Sequence, residues 1–199
     1  MRHYIEATMN GDPALWSGRI VPGLVQVVHH QRHHGHDIAL AFPDMELGKA
    51  LERDGVEQPR KIGHRVRFWA EPATLEDLAG ALDNHLARVG ISGESVTINM
   101  DLEVPETITE WVAYTRFRIP SRQRNRNENP GYRENRMRKR ADMLARQRLI
   151  PFLDMESSKG QRFGLGIEPV YASEPPQTQG QLNGYGISTK ATPYWLPSF

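Results

Sequence analysis

The first 105 residues alternate between short stretches with apolar residues at every second position and longer stretches with helical spacing. Alternation is typical of a strand with one buried face, and apolar residues three and four apart indicate a helix. We predict strands at about 3–8, 37–42, 65–69 and 96–104, and helices at about 17–34 and 74–90. Thr74 and Asp77 have the spacing of a capping box, and Gly90 is a typical stop. The order β-α-β-β-α-β predicts a ferredoxin-like domain over residues 1–108.

The remaining residues, 109–199, predict a smaller C-terminal α/β domain, so the fold class is α+β. Residues 105–115 indicate a junction, and the polar, non-periodic stretch 121–126 indicates an arm. Later segments predict a helix from Tyr132 to about Arg148, strands at 151–155 and 163–167, a loop at 169–182, and a strand or tight turn at 184–188.

The predicted helix of the second half is rich in arginine. Met137, Ala141 and Leu144 fall in one stripe at about 100° per residue, which predicts that this stripe packs against the protein. Three arginines cluster in a neighbouring arc of about 60°: Arg133, Arg136 and Arg140.

The charge of the chain is strongly segregated. Residues 116–150 hold eleven Arg and one Lys against three acids, a net charge of +9, while the other residues sum to −8 and bring the chain to +1. One arginine block in an otherwise acidic chain predicts a single docking surface for phosphate. Arginine also makes forked bonds to phosphate and guanine. We interpret the block as a nucleic-acid surface, with a solvated amphipathic helix face as the alternative.

Composition excludes several classes of chemistry. The chain has no Cys, which removes disulfides, Cys-ligated zinc and thiol nucleophiles. Its longest largely apolar stretch, 20–28, is too short to cross a membrane, and the first ten residues lack a secretory apolar region. We expect a cytoplasmic protein without a membrane partner.

Five histidines between His29 and His36 are candidates for chemistry. Pairs at i and i+4, such as His29 with His33, could chelate a metal, but no acidic ligand or HExxH spacing accompanies them. A solvated helix end is the alternative interpretation. One imidazole could also act as a general base.

RNA needs little from an enzyme, because its 2′-hydroxyl is a nucleophile beside the phosphate. A base, alignment and charge stabilisation are sufficient, and no metal or cofactor is required. Candidate hydroxyls are Ser157 and Ser158 in a polar turn, and Tyr185 lies between two glycines. Turn formation is the alternative role for these residues.

The motifs match one known family in order and spacing along nearly the whole chain. They are His3-Tyr4, Asp12-Pro13, a helix ending with His29, Phe42-Pro43-Asp44, Ser121-Arg122, Asn129-Pro130, Pro151-Phe152, Ser157, Gly160-Gln161, Phe163 with Leu165 and Ile167, and Tyr185-Gly186-Ile187-Ser188. The chain resembles the CRISPR repeat-processing endoribonucleases of type I-F systems. The resemblance implies metal-independent cleavage of the repeat hairpin of precursor crRNA, with a 2′,3′-cyclic phosphate product and no cofactor. It further implies retention of the hairpin beside other subunits of the type I-F surveillance complex.

The resemblance also implies roles for catalytic residues. His29 matches the general base for the 2′-hydroxyl, and Tyr185 matches the tyrosine that orients it. Ser157 matches the serine that holds the nucleophilic ribose. The loop after Ser157 is one residue shorter than in the family, so Ser158 is an alternative.

Roles in RNA binding follow in the same way. Arg136 and Arg140 match helix arginines that grip phosphates in the hairpin's major groove, and Arg133 shares their arc. Phe163 matches the ring that stacks on the terminal base pair. In the arm, Arg122 matches a reader of base edges, and Arg124 takes the place of a second reader that is more often Gln.

Three other functions compete with this interpretation. A protein of the same fold could cap a crRNA hairpin without cutting it. A metal-dependent nuclease could use the histidine cluster, and EDTA would distinguish it. A general RNA-recognition sheet protein is disfavoured, because its aromatic strand motif is absent from the sequence.

Overall fold

The computed structural model describes residues 3–45, 52–53, 56–57, 61–120, 129–157, 159–174 and 177–199. Its strands are β1 (His3–Met9), β2 (Ala39–Ala41), β3 (Glu52–Arg53), β4 (Val56–Glu57), β5 (Arg65–Trp69), β6 (Val96–Glu103), β7 (Glu110–Phe117), β8 (Phe152–Glu156), β9 (Arg162–Ala172) and β10 (Leu196–Ser198). Its helices are α1 (Pro13–Leu15), a π-helical stretch (Trp16–Ile20), α2 (Val21–His33), α3 (Pro72–Arg88) and α4 (Pro130–Gln147).

Two four-stranded antiparallel sheets form the framework. The first has the order β2-β5-β1-β6, the second has the order β10-β7-β9-β8, and β3 with β4 forms a separate hairpin. The predicted α+β class is confirmed. The order of the first sheet is compatible with the ferredoxin-like arrangement, which stays a prediction.

One hydrophobic core runs through both sheets. Helix α3 packs on β1 and β6, while α2 packs on α3 and on β8 of the second sheet. The main cluster therefore joins Ile5 and Phe68 of the first sheet to Leu153 and Leu165 of the second. The division into domains 1–108 and 109–199 stays a prediction.

The helices of the first half begin earlier than predicted. Asp12 caps a first turn at Pro13 by accepting a hydrogen bond from the Ala14 N–H (2.8 Å). Helix α3 begins at Pro72, because proline is already set for the first helical turn, so the capping-box prediction for Thr74 was wrong. The predicted stop holds, since α3 ends at Arg88 and Gly90 has a φ of +68°.

Two connections predicted in the second half are partly strands. Residues 110–115 belong to β7 instead of a junction, and residues 169–172 extend β9 into the predicted loop. The cause is a long mutual ladder, which runs from Trp111 opposite Ala172 to Phe117 opposite Gly166. The tight turn at 184–188 is confirmed, with Gly186 N donating to the Asn183 carbonyl (3.0 Å).

Helix α4 packs through a different side than predicted. The structure describes the whole of α4, and Met143 is the one buried residue in it. Met137 and Leu144 remain 38% and 40% exposed. Met143 joins Phe117 and Ile150 in a small second core. The stripe prediction was therefore wrong, because the sheet surface around Phe117 accepts the helix face that carries Met143.

Two glycines shape the sheet beneath this second core. A Cβ at Gly164 would lie 3.0 Å from Phe152 Cδ1, and one at Gly166 would lie 2.8 Å from Phe152 Cε1. The Phe152 ring thus lies directly on β9, on the same side as Phe117. The two glycines of Gly164-Leu165-Gly166 therefore leave room for the Phe152 ring on β9.

An ion pair ties the turn after β2 to β5. Asp44 accepts hydrogen bonds from Arg65 Nε (2.8 Å) and Arg65 Nη2. Burial disfavours the charged carboxylate, but the Arg65 hydrogen bond and charge outweigh that cost, so the pKa of Asp44 is lowered. This carboxylate therefore stabilises the fold only while it is ionised.

We predict that Asp44→Asn lowers the free energy of unfolding at pH 7 by about 1.5–3 kcal/mol, the range for hydrogen bonds to charged groups. The folded pKa lies below the unfolded one, so this contribution is complete above the unfolded pKa, about 3.9, and is lost as pH falls through the folded pKa. In urea unfolding, the difference in free energy of unfolding between wild type and Asp44→Asn should become smaller below about pH 4. The exposed Asp154→Asn is the control; an equal loss there, or a gap independent of pH, contradicts the prediction.

Candidate functional site

A turn at residues 183–188 lies between the two sheets and positions the site. Leu40 N donates to the Gly186 carbonyl (2.7 Å), which attaches the turn to β2. Ser188 N donates to the Tyr114 carbonyl (2.7 Å), which attaches it to β7. The turn is thereby fixed beside the C-terminal end of α2.

His29, near the end of α2, has a defined hydrogen bond. Its Nδ1 lies 2.8 Å from the Gly184 carbonyl oxygen. A carbonyl only accepts, so Nδ1 carries the hydrogen and Nε2 of the neutral ring carries the lone pair. In the part of the chain that the structure describes, no residue hydrogen-bonds Nε2. The half-buried imidazole can therefore take up a proton at Nε2.

Aromatic contacts fix the plane of the His29 ring. The Tyr185 ring stacks on it with a centroid distance of 4.4 Å and an interplanar angle of 16°. His33 meets it edge-on at 4.6 Å. Phe163 lies beyond Tyr185, with 6.1 Å between their centroids. The structure thus brings together three residues that the sequence singled out: His29, Tyr185 and Phe163.

Ser157 follows β8 on the sheet face that carries Phe163. Met155 pairs with Phe163, and the ladder continues beyond the strand through Ser157 N donating to the Gln161 carbonyl (2.9 Å). Because side chains alternate along a strand, Ser157 shares the face of Met155. Its Oγ accepts a hydrogen bond from Gln161 N (3.1 Å). Ser158 lies outside the described residues.

Arg116 on β7 is a site residue that sequence reasoning missed. Its guanidinium carbon lies 5.6 Å from the Tyr185 ring centroid and 5.8 Å from the Phe163 centroid. Burial and the charge of Arg118 lower its pKa, while Tyr185 opposes that shift. Residues 110–115 were assigned to a junction because Val112 to Thr115 are all buried and so show no alternation of apolar and polar residues.

The arginines of α4 lie on the other side of the second sheet. Met143 holds α4 against Phe117, which alternates in β7 with Arg116 and so faces away from the His29 cluster. Arg136 and Arg140 are half-buried and Arg133 is exposed. Arg140 Nη1 donates to the Pro120 carbonyl. The arm residues Arg122 and Arg124 lie outside the described residues.

Two searches of the described residues gave negative results. No group of three or more His, Asp or Glu residues there is arranged to hold a metal ion. No described helix combines the length and apolar character needed to cross a membrane.

The fold and the site define a class of α+β protein. One face of its second sheet carries a histidine site lined by the aromatic rings of Tyr185 and Phe163, and the other face carries an arginine-rich helix. The chain belongs to the CRISPR-associated protein family Cas_Csy4, whose family model matches residues 4–199. This membership confirms the predicted type I-F repeat-endoribonuclease family. The chain is a CRISPR-associated crRNA-processing protein that binds CRISPR repeat RNA and has an endoribonuclease role. No curated protein matches it.

We predict that Gly184→Ala disturbs the His29 hydrogen bond. The added Cβ would lie 3.3 Å from His29 Nδ1 and 3.4 Å from its Cε1, so the imidazole must shift. Nitrogen-15 NMR should show a smaller share of the Nδ1–H tautomer, and cleavage of repeat RNA should fall roughly tenfold, the value of one hydrogen bond. Gly80→Ala is the control, because a methyl group there meets no atom within 4 Å. Unchanged tautomers in Gly184→Ala would contradict this account.

Proposed function

We propose that this protein cleaves the repeat hairpin of precursor crRNA at the 3′ base of the stem, without a metal ion, by attack of a ribose 2′-hydroxyl. The observation that best supports this is the hydrogen bond from His29 Nδ1 to the Gly184 carbonyl, which leaves Nε2 as a proton acceptor. A general base is the one group that 2′-hydroxyl chemistry cannot omit at neutral pH. No cofactor is needed.

In this mechanism, His29 Nε2 takes the proton of the 2′-hydroxyl as its oxygen attacks the adjacent phosphorus. The bond to the 5′-oxygen of the next nucleotide breaks, and that oxygen takes a proton from solvent. The products are a 2′,3′-cyclic phosphate and a 5′-hydroxyl. Tyr185 holds the imidazole plane by stacking, and Ser157 holds the nucleophilic ribose through its Oγ.

Binding of the hairpin is assigned to separate groups. Arg133, Arg136 and Arg140 on α4 contact phosphates along the major groove, where A-form geometry hides base edges from side chains. Phe163 stacks on the last base pair of the stem, since an end pair exposes a π-face. The arm residues Arg122 and Arg124 read base edges.

Product retention follows from this mode of binding. The phosphate contacts and the stacked base pair lie on the stem, which cleavage leaves intact. We therefore propose that the protein stays on the 3′ hairpin of the mature crRNA, in the cytoplasm, as a subunit of the type I-F surveillance complex. Residues 1–108 then form the ferredoxin-like domain that carries His29, and residues 109–199 form the domain that grips RNA.

The decisive experiment is cleavage of the cognate repeat hairpin in excess EDTA. We predict that wild type cuts once and leaves a cyclic phosphate, because the nucleophile is part of the RNA. His29→Ala should reduce the rate by a factor of about 10² to 10⁴, the usual contribution of a general base, while binding is retained. A substrate with one 2′-deoxy residue upstream of the cut should bind and remain intact.

Other outcomes would assign a different function. If EDTA stops cleavage by wild type, the histidine cluster is a metal site and the proposed mechanism is wrong. If wild type binds the hairpin but never cuts it, the protein is a non-cleaving cap of the crRNA.

Phosphate binding by α4 can be tested through salt. We predict that Arg136→Gln with Arg140→Gln makes the slope of log K against log salt shallower by about 1.5, since each phosphate contact contributes 0.7–0.9. The control is Arg138→Gln, whose guanidinium lies on the opposite side of the helix and contacts Asn135 (3.1 Å). An equal change in the control would show a general charge effect instead of a defined contact.

A further inference from the structure

Arg116 differs from three other arginines that are buried or half-buried in the first sheet and α2. Arg32, Arg65 and Arg67 each contact a carboxylate, at Asp37, Asp44 and Glu6 respectively. Throughout the described residues, no carboxylate or carbonyl oxygen accepts a hydrogen bond from Arg116. The donors of this half-buried guanidinium therefore have no acceptor among the residues that the structure describes.

The rings beside Arg116 do not replace such an acceptor. Its guanidinium carbon lies 5.6 Å from the Tyr185 centroid and 5.8 Å from the Phe163 centroid, close to the outer limit of about 6 Å for cation–π attraction. A ring face attracts the charge, but it does not bind the planar N–H fork. Arg118 adds like charge nearby, which makes an unpaired cation here still less favourable. An anion supplied from outside the chain would satisfy both the fork and the charge.

The position of Arg116 limits where that anion lies. Tyr185 is in contact with Arg116 on one side and with His29 on the other. Phe163 also contacts Arg116, and it shares a sheet face with Ser157. An anion bound by Arg116 is therefore next to the residues assigned to the nucleophile and the last base pair.

We propose that Arg116 binds the scissile phosphate of the RNA and stabilises the negative charge that develops there during cleavage. This inference rests on the proposed function. Attack by the 2′-oxygen produces a five-coordinate phosphorus that carries one more negative charge than the starting diester. In a reaction without a metal ion, a fixed guanidinium supplies the compensating positive charge.

The test compares Arg116→Gln with wild type in single-turnover cleavage, with enzyme saturating over the hairpin. We expect the rate to fall about 100-fold, the usual loss when one donor to a developing oxyanion is removed. Arg118→Gln, which removes the same charge from an exposed neighbour, should change the rate less than about threefold. Equal thermal unfolding midpoints for all variants confirm that the fold is kept.

Phosphorothioate substrates separate direct phosphate binding from a structural role. Replacing one non-bridging oxygen of the scissile phosphate by sulfur gives two diastereomers, and wild type should cut one of them more slowly. That difference should disappear in Arg116→Gln, because the contact that distinguishes the oxygens is gone. Arg116→Lys keeps the charge without the fork, so its cleavage rate should lie between the rates of wild type and Arg116→Gln. Arg116→Lys serves as the test variant if Arg116→Gln does not fold.

The outcomes separate this inference from the function on which it rests. If wild type cuts, and the variant cuts equally fast or keeps the same diastereomer preference, the role of Arg116 is wrong and the proposed function stands. If wild type does not cut the hairpin, the proposed function fails and the role of Arg116 fails with it.

Discussion

The placement of the 183–188 turn between the two sheets is the constraint on which the site depends. Gly186 has a φ of +72°, and a Cβ there would lie 2.8 Å from the Ile38 carbonyl oxygen and 2.9 Å from Val28 Cγ1. Only glycine permits both that backbone and that approach. Because the turn is held this closely to α2, the Gly184 carbonyl and the Tyr185 ring reach the same imidazole. The tautomer and the plane of His29 are thus set by backbone packing.

Side chains along the strands of the second sheet point alternately to its two faces, and the two faces differ in what they contact. One face carries Arg116, Phe163 and Ser157 towards α2, and the other carries Phe117 and Phe152 towards α4. The strands that present chemistry therefore also anchor the arginine-rich helix. A substrate that contacts both must pass around an edge of the sheet. The proposed mode of binding meets this condition, with the hairpin stem along α4 and the 3′ base of the stem at the ring cluster.

Sequence patterns recovered the parts of the fold that depend on local spacing. The alternating strands of the first sheet and the stop of α3 at Gly90 are of this kind. Strand β7 was missed because Val112 to Thr115 are all buried, so alternation is absent where the second sheet and the core meet. The stripe on α4 failed because the sheet selected Met143 over more regularly spaced apolar residues. The contacts of Gly184 and Arg116 with His29 and Tyr185 depend on tertiary packing that one sequence does not display.

The hydrogen bond between His29 and Gly184 joins residues 155 positions apart in the chain. During synthesis, α2 and its histidine emerge long before the turn that completes this bond. Domains generally fold as units from the N-terminus onwards, so the first sheet can form while His29 remains free to rotate and to take either tautomer. A nascent chain therefore carries the His29 imidazole without a fixed orientation. Orientation of the imidazole therefore waits until residues 183–188 have been made and packed against α2.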